Sequence, residues 1–283
     1  MLTRMLNHFP LRTCLLADGQ QTWREGSSAK CNQVLVLLHG ISSGSGSWVQ
    51  QLDVLGRHCR VLAWDAPGYG RSADLPDSQP GAMDYAERLA DWLDALGVER
   101  CWLVGHSLGA MIAAAFAHRY PGRLDGLLLA SPAQGYGKSD ADTRERIYHQ
   151  RPDVLEQLGA DGLAARRAVA LLSASATAEQ VELVADSMKQ LRLPGFRAAS
   201  WLLAHDDIWC YLPVDVTVRR VICGGMDGIT PPQGARQLAQ DFDATEFVEI
   251  PAAGHACYIE AAALVNQTLM DWMSTGSAKT GST

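Results

Sequence analysis

The segment Cys101-Trp102-Leu103-Val104-Gly105-His106-Ser107-Leu108-Gly109 leaves this chain few folds to adopt. Its apolar start predicts a buried strand, and the small-residue stretch Ala110 to His118 that follows predicts a helix. A strand that becomes a helix across so short a turn must bend sharply. The residue at the apex then takes a strained backbone conformation, and its neighbours must be small. Such a turn lifts the Ser107 hydroxyl above the sheet, at the positive end of the helix. Gly-x-Ser-x-Gly between strand and helix is a nucleophile elbow, whereas the same pattern elsewhere is a glycine-rich turn with an idle serine.

The rest of the chain supplies the sheet this turn requires. Leu11 to Trp23 predicts two short strands broken at Asp18-Gly19, a hairpin dipeptide. The run Val34-Leu35-Val36-Leu37-Leu38 predicts a strand covered on both faces. Val49 to Arg57 predicts a short helix and Arg60 to Trp64 the next strand. Met83 to Leu96 predicts an amphipathic helix with Ala86, Leu89, Ala90, Leu93 and Leu96 as its apolar stripe, closed by Gly97. Leu124 to Ala130 predicts another buried strand. Strand and helix therefore alternate from 33 to 130, the pattern of a parallel sheet wrapped by helices.

From Asp142 to Leu212 the apolar spacing is helical and no strand is predicted. The alternation resumes with strand 218–223, helix 233–241, strand 246–250 and helix 258–273. The expected organisation is one α/β core, 1–139 with 213–273, interrupted by a helical cap at 140–212. The Ser, Thr, Gly, Ala and Lys residues of 274–283 predict a disordered tail.

Composition removes other classes. The 283 residues carry a net charge of −7, which argues against a nucleic-acid surface. No stretch reaches the roughly 18 apolar residues of a membrane span. His8, Pro10 and Arg12 interrupt the N-terminal segment, so no signal peptide is expected. Seven irregularly spaced cysteines, at 14, 31, 59, 101, 210, 223 and 257, contain no Cys-x-x-Cys and fit a reducing cytoplasm.

A serine hydroxyl becomes a nucleophile when a histidine, itself held by a carboxylate, takes its proton. In open α/β sheets these partners stand in loops at the C-terminal ends of strands. Of the histidines after Ser107, His118 lies in the helix of the turn, and His149 and His205 fall in the helical insertion. His255 follows strand 246–250 through Pro251-Ala252-Ala253-Gly254 and is the expected base. The loop after strand 218–223 contains one carboxylate, Asp227, while Ser131-Pro132-Ala133 after strand 124–130 offers none. Asp227 is therefore the expected acid, although Asp227-Gly228 is also a turn dipeptide. The backbone N–H groups of Ile41 and Leu108 are the expected oxyanion donors.

Five matches together resemble the α/β-hydrolase superfamily over about 25 to 273. They are His39-Gly40, Asp65-Ala66-Pro67-Gly68-Tyr69-Gly70-Arg71-Ser72, Gly105-His106-Ser107-Leu108-Gly109, Asp227 before Pro231-Pro232, and Gly254-His255. The resemblance implies a mostly parallel, doubly wound sheet with a helical cap, and a Ser107, Asp227, His255 triad. It extends to esterases, enol-lactonases, cofactor-free haloperoxidases and the meta-cleavage C–C hydrolases. Ser42-Ser43-Gly44-Ser45-Gly46-Ser47-Trp48 resembles the oxyanion loop of the C–C hydrolases, but Ala256-Cys257 stands where they carry a Trp after the histidine. Ser107 itself argues against the dehalogenase and epoxide hydrolase relatives, which use aspartate at the elbow.

The expected reaction is hydrolysis of a small, partly apolar ester or lactone through an acyl-enzyme, with no cofactor and no metal. C–C bond hydrolysis is one alternative, and a non-catalytic receptor on the same fold is another. Trp201, Trp209 and Tyr211 are candidate substrate contacts, although aromatics in such an insertion also serve as its core. Gly137-Lys138-Ser139 imitates the end of a phosphate-binding loop, but Pro132 lacks the N–H such a loop needs.

Overall fold

The computed structural model describes residues 2–27, 32–244 and 246–277. Cys31 and residues 278–283 of the expected tail lie outside them. Eight strands form one sheet: β1 (Arg12–Leu16), β2 (Gly19–Gly26), β3 (Val34–Leu38), β4 (Arg60–Trp64), β5 (Cys101–His106), β6 (Leu124–Ala130), β7 (Arg219–Gly224) and β8 (Glu246–Ile250). Their order across the sheet is β1-β2-β4-β3-β5-β6-β7-β8. β2 runs antiparallel to both β1 and β4, and every other pair is parallel. The hairpin expected at Leu11 to Trp23 is β1 and β2, with Leu16 opposite Gly19.

The strand order decides where a ligand can sit. From β3 the chain moves outward to β4, then crosses back to β5 on the other side of β3. This reversal opens a crevice at the C-terminal ends of β3 and β5, the place where open α/β sheets bind ligands. Helices Ala82–Ala95 and Leu108–Arg119 pack on each other, as do Val49–Leu55 and Ala262–Ser277. Right-handed crossovers in opposite directions put the two pairs on opposite faces of the sheet. Helix Leu108–Arg119 is buried from Leu108 to Ala117. Its run of small residues thus reflects close packing against the sheet below and helix Ala82–Ala95 above.

Between β6 and β7 the chain is helical. Helices Ala141–Gln150, Pro152–Arg167, Ala178–Met188 and Leu193–His205 precede a short turn at Ile208–Cys210. The insertion is fastened to the core at named points. The Asp206 carboxylate accepts from Ala82 N–H at 2.6 Å, and Arg192 donates to the Ser72 carbonyl at 2.7 Å. Gly195 abuts Gly68 so closely that a Cβ on it would stand 2.1 Å from the Gly68 carbonyl oxygen.

Two local expectations change. The single helix expected at 258–273 is divided at Ala261, with Cys257–Glu260 before it and Ala262–Ser277 after it. The first piece is pulled inward by Glu260, whose carboxylate is held by backbone N–H groups of Gly254 and Ser173. The second piece runs on to Ser277, so 274–277 are helical and not part of a disordered tail. Trp272 anchors this helix. It is fully buried and meets Trp102 edge to face, with ring centroids 4.7 Å apart.

Replacing Trp272 with alanine would leave a cavity against Trp102. Trp272→Ala should lower the unfolding free energy by about 3–5 kcal/mol in urea denaturation. A change below about 1 kcal/mol would mean that the C-terminal helix is peripheral to the core.

Candidate active site

Ser107 has φ 53° and ψ −117°, the strained apex predicted for the turn. The flanking glycines are dictated by backbone, not by side chains. A Cβ at Gly105 would lie 2.3 Å from the Gly109 carbonyl oxygen, and one at Gly109 would lie 2.6 Å from that of Leu38. The apex is pinned by its own backbone. Ser107 N–H donates to Ala130 at 2.9 Å, and its carbonyl accepts from Ala133 N–H at 3.2 Å.

Asp227 and His255 meet at the ends of β7 and β8. His255 Nδ1 lies 2.9 Å from Asp227 Oδ2. A carboxylate only accepts, so Nδ1 carries the proton and Nε2 is left with its lone pair. Asp227 Oδ1 accepts from the N–H groups of Ile229 and Thr230 at 2.8 and 2.9 Å, and Thr230 Oγ1 donates to Oδ2 at 2.8 Å. Burial alone would push the Asp227 carboxyl up. The hydrogen bond and charge of His255, with the two backbone donors, outweigh burial and hold it well below the ordinary carboxylate range. Asp227 is thus a fixed anion, and its turn-forming role coexists with its contact to His255.

The two residues expected to supply oxyanion donors border the same space. Ile41 and Leu108 both line the cavity that contains Ser107 and His255. Leu108 opens its helix, so its N–H lies outside the helical ladder. A side chain on Gly40 would stand 3.0 Å from Ser107 Cβ, so glycine lets the β3 loop approach the serine.

The sequence model of the family described as alpha/beta hydrolase fold matches residues 33–262. The chain belongs to the α/β-hydrolase family. It is similar to a thermophilic esterase from Thermogutta terrifontis, 24% identical with TM-score 0.83, over 94% of this chain and 99% of that one. The enol-lactonase from Burkholderia xenovorans LB400 is 21% identical with TM-score 0.82, over 93% of this chain and 100% of its own. At these identities the likeness is one of fold. RutD of Serratia proteamaculans (strain 568), provisionally named a carbamate hydrolase, is 28% identical over 255 residues, 88% of this chain and 93% of its own.

This hydrolase encloses a cavity of about 310 Å³ between the strand ends and the helical insertion. Leu171, Val184, Leu203, Ile229 and Ile259 make much of its wall apolar. The aromatic contacts expected from sequence are elsewhere. Trp201, Trp209 and Tyr211 do not line this cavity. Trp201 stacks on His205 with centroids 3.6 Å apart, and Tyr211 Oη donates to Asp206 at 2.8 Å. Both serve the insertion and its seam with the core, because ring packing and a buried hydroxyl partner were available there. Lys138, from the imitation phosphate loop, pairs with Asp207 at 3.1 Å.

Several residues that support the site carried only weak sequence signals. His106 Nε2 lies 2.9 Å from the His255 carbonyl and must donate to it, which fixes the backbone at His255. His39 accepts from Ala66 N–H at 3.0 Å, and Tyr69 Oη donates to the Ile41 carbonyl at 2.7 Å. Asp65 accepts from Ser45 N–H at 2.8 Å. The Asp65-to-Ser72 loop is therefore the support of the loop after β3, a role the motif alone did not reveal. Glu260 had no signal. Its carboxylate joins the Gly254 loop that carries His255 to Ser173 of the insertion.

Burial, and then the charge of His255, push the His106 imidazole down to about 3, and burial also lowers His39. Between about pH 6.5 and 3 the unfolded chain therefore binds protons that the native His106 refuses, and stability falls with falling pH in that window. Asp227 adds loss in the same direction below about pH 3.9. The unfolding midpoint should fall as pH drops from about 7 to 4, and His106→Asn should flatten that slope. An equal slope in the variant would assign the acid sensitivity to other groups.

Proposed function

We propose that the chain is a serine hydrolase that cleaves a small, partly apolar ester or lactone. The observation that carries this reading is the Asp227–His255 hydrogen bond of 2.9 Å beside an elbow serine in one apolar cavity. Ser107 Oγ attacks the acyl carbon while His255 Nε2 takes its proton. Asp227 holds the imidazole in the tautomer that makes Nε2 the base and stabilises the imidazolium that forms. The N–H groups of Ile41 and Leu108 donate to the carbonyl oxygen as it gains negative charge, each donor worth about 2.7–4 kcal/mol of transition-state stabilisation. His255 returns the proton to the leaving alkoxide. Water, deprotonated by the same nitrogen, then releases the acid and restores Ser107. The reaction balances with water as the sole co-substrate.

The likeness to RutD supports carbamates as further acyl substrates, since attack at a carbamate carbonyl needs the same groups. Cys14, Cys101, Cys210, Cys223 and Cys257 are free thiols, which supports a reducing compartment such as the cytoplasm. Among the described residues no helix is long and apolar enough to cross a membrane.

Ser107→Ala should lower turnover of short p-nitrophenyl esters by about 10³-fold or more, with the unfolding midpoint essentially unchanged because alanine keeps the same Cβ at the elbow. A fluorophosphonate should label the native protein at Ser107. Ligand binding without labelling would favour a non-catalytic receptor. Turnover of a 2-hydroxy-6-oxodienoate in preference to every ester would favour C–C cleavage.

A further inference from the structure

Two arginines line the catalytic cavity, Arg151 and Arg167. They stand at the two ends of one segment, Pro152–Arg167 with Arg151 just before it. A straight helix of this length would hold its ends about 24 Å apart. The segment is not straight. Gly159 has φ 68° and ψ 176°, a non-helical break that kinks the segment between its two halves. Both ends thereby reach one cavity of about 310 Å³.

Neither guanidinium pairs with a carboxylate among the described residues. Their neighbours in the insertion do: Arg197 meets Glu156 at 2.9 Å, Arg192 meets Asp74 at 3.2 Å and Lys189 meets Asp186 at 2.8 Å. Arg151 Nη1 is buried without any hydrogen-bond partner. Burial lowers the proton affinity of both groups, and the Arg167 charge lowers that of Arg151 further, so the two are within electrostatic reach of each other. Unpaired cations brought together out of water are costly unless an anion completes them.

We infer that Arg151 and Arg167 form an anion subsite in the catalytic cavity, and that the substrate carries a carboxylate or phosphate group remote from its scissile ester. This deepens the ester hydrolase reading above and rests on it for the reaction. The cavity then has three zones. Ser107, His255 and the oxyanion donors make one end, Leu171, Val184 and Leu203 an apolar wall, and the two guanidiniums an anionic anchor. Guanidinium forks bind planar and tetrahedral oxyanions through paired N–H donors, which fixes orientation as well as affinity.

The test compares mono-p-nitrophenyl glutarate with p-nitrophenyl pentanoate, which have acyl chains of equal length. The native protein should favour the charged ester at least tenfold in kcat/KM. In Arg151→Gln and Arg167→Gln the ratio of charged to neutral kcat/KM should fall about 10- to 100-fold, chiefly through KM. Arg167→Lys should recover part of it. Competitive inhibition by glutarate or by glycerol 3-phosphate identifies which oxyanion fits. A native ratio near one, or a ratio unmoved by either substitution, overturns the subsite. If the native protein hydrolyses neither ester, the ester hydrolase reading fails, and calorimetry decides the subsite alone. Glutarate or glycerol 3-phosphate binding weakened tenfold or more in the variants supports it, and absence of binding overturns it.

Discussion

The close approach of two backbones at the end of β5 is the constraint on which this structure depends. Gly105 faces the Gly109 carbonyl, and Gly109 faces the Leu38 carbonyl at the end of β3, with no space for a Cβ at either position. Because these contacts are main-chain, no side-chain rearrangement relieves them. They force helix Leu108–Arg119 down onto the sheet and raise Ser107 at its apex. They also set β3 and β5 side by side at the strand-order reversal, so that the loop after β3 reaches the serine. One packing requirement therefore fixes the elbow serine, the first helical N–H at Leu108 and the crevice at the ends of β3 and β5.

The remaining groups are positioned by loops, and each loop is tied to a neighbour. Asp65 and Tyr69 after β4 hold the Ile41 loop after β3. His106 at the end of β5 holds the backbone of His255 after β8. Thr230 after β7 donates its backbone N–H to Asp227, and its hydroxyl proton is shared between Asp227 and the Ser131 carbonyl after β6. These ties give a site made of loops the rigidity that preorganised donors require. Glu260 extends the same principle across to the insertion. The His255 loop and the insertion therefore share one carboxylate, and displacement of the insertion would disturb His255.

Much of this was legible because it depends on local chemistry. The buried runs Leu35-Val36-Leu37-Leu38 and Leu127-Leu128-Leu129-Ala130 read as strands because both faces are covered. Asp227 and His255 could be singled out because few titratable residues follow a strand directly. The supports could not be read in the same way. Tyr69 looks like any loop aromatic until its hydroxyl finds the Ile41 carbonyl, a partner 28 positions away. Glu260 sits on a helical pattern as a solvent-facing acid would, and only the break at Ala261 turns it inward. Trp201 and Tyr211 misled for a related reason. Their apolar bulk specifies burial but not against which neighbour, and His205 and Asp206 satisfied them within the insertion.

The insertion shows most clearly where periodicity stops being informative. Apolar spacing located its helices, yet the consequential residue in Pro152–Arg167 is Gly159, which interrupts that spacing. As a straight element the segment would present Arg151 and Arg167 as two distant, solvated charges of the kind common on helix surfaces. Folded at Gly159, it directs both into the cavity above Ser107. The conformational freedom of a single glycine thus changes two surface cations into the charged wall of an otherwise apolar site. Catalytic groups in this fold stand on strand ends that the sheet places rigidly. The cavity wall over Ser107 and His255 stands on an insertion whose shape is set by such breaks, so that wall can vary while the strand ends stay in place.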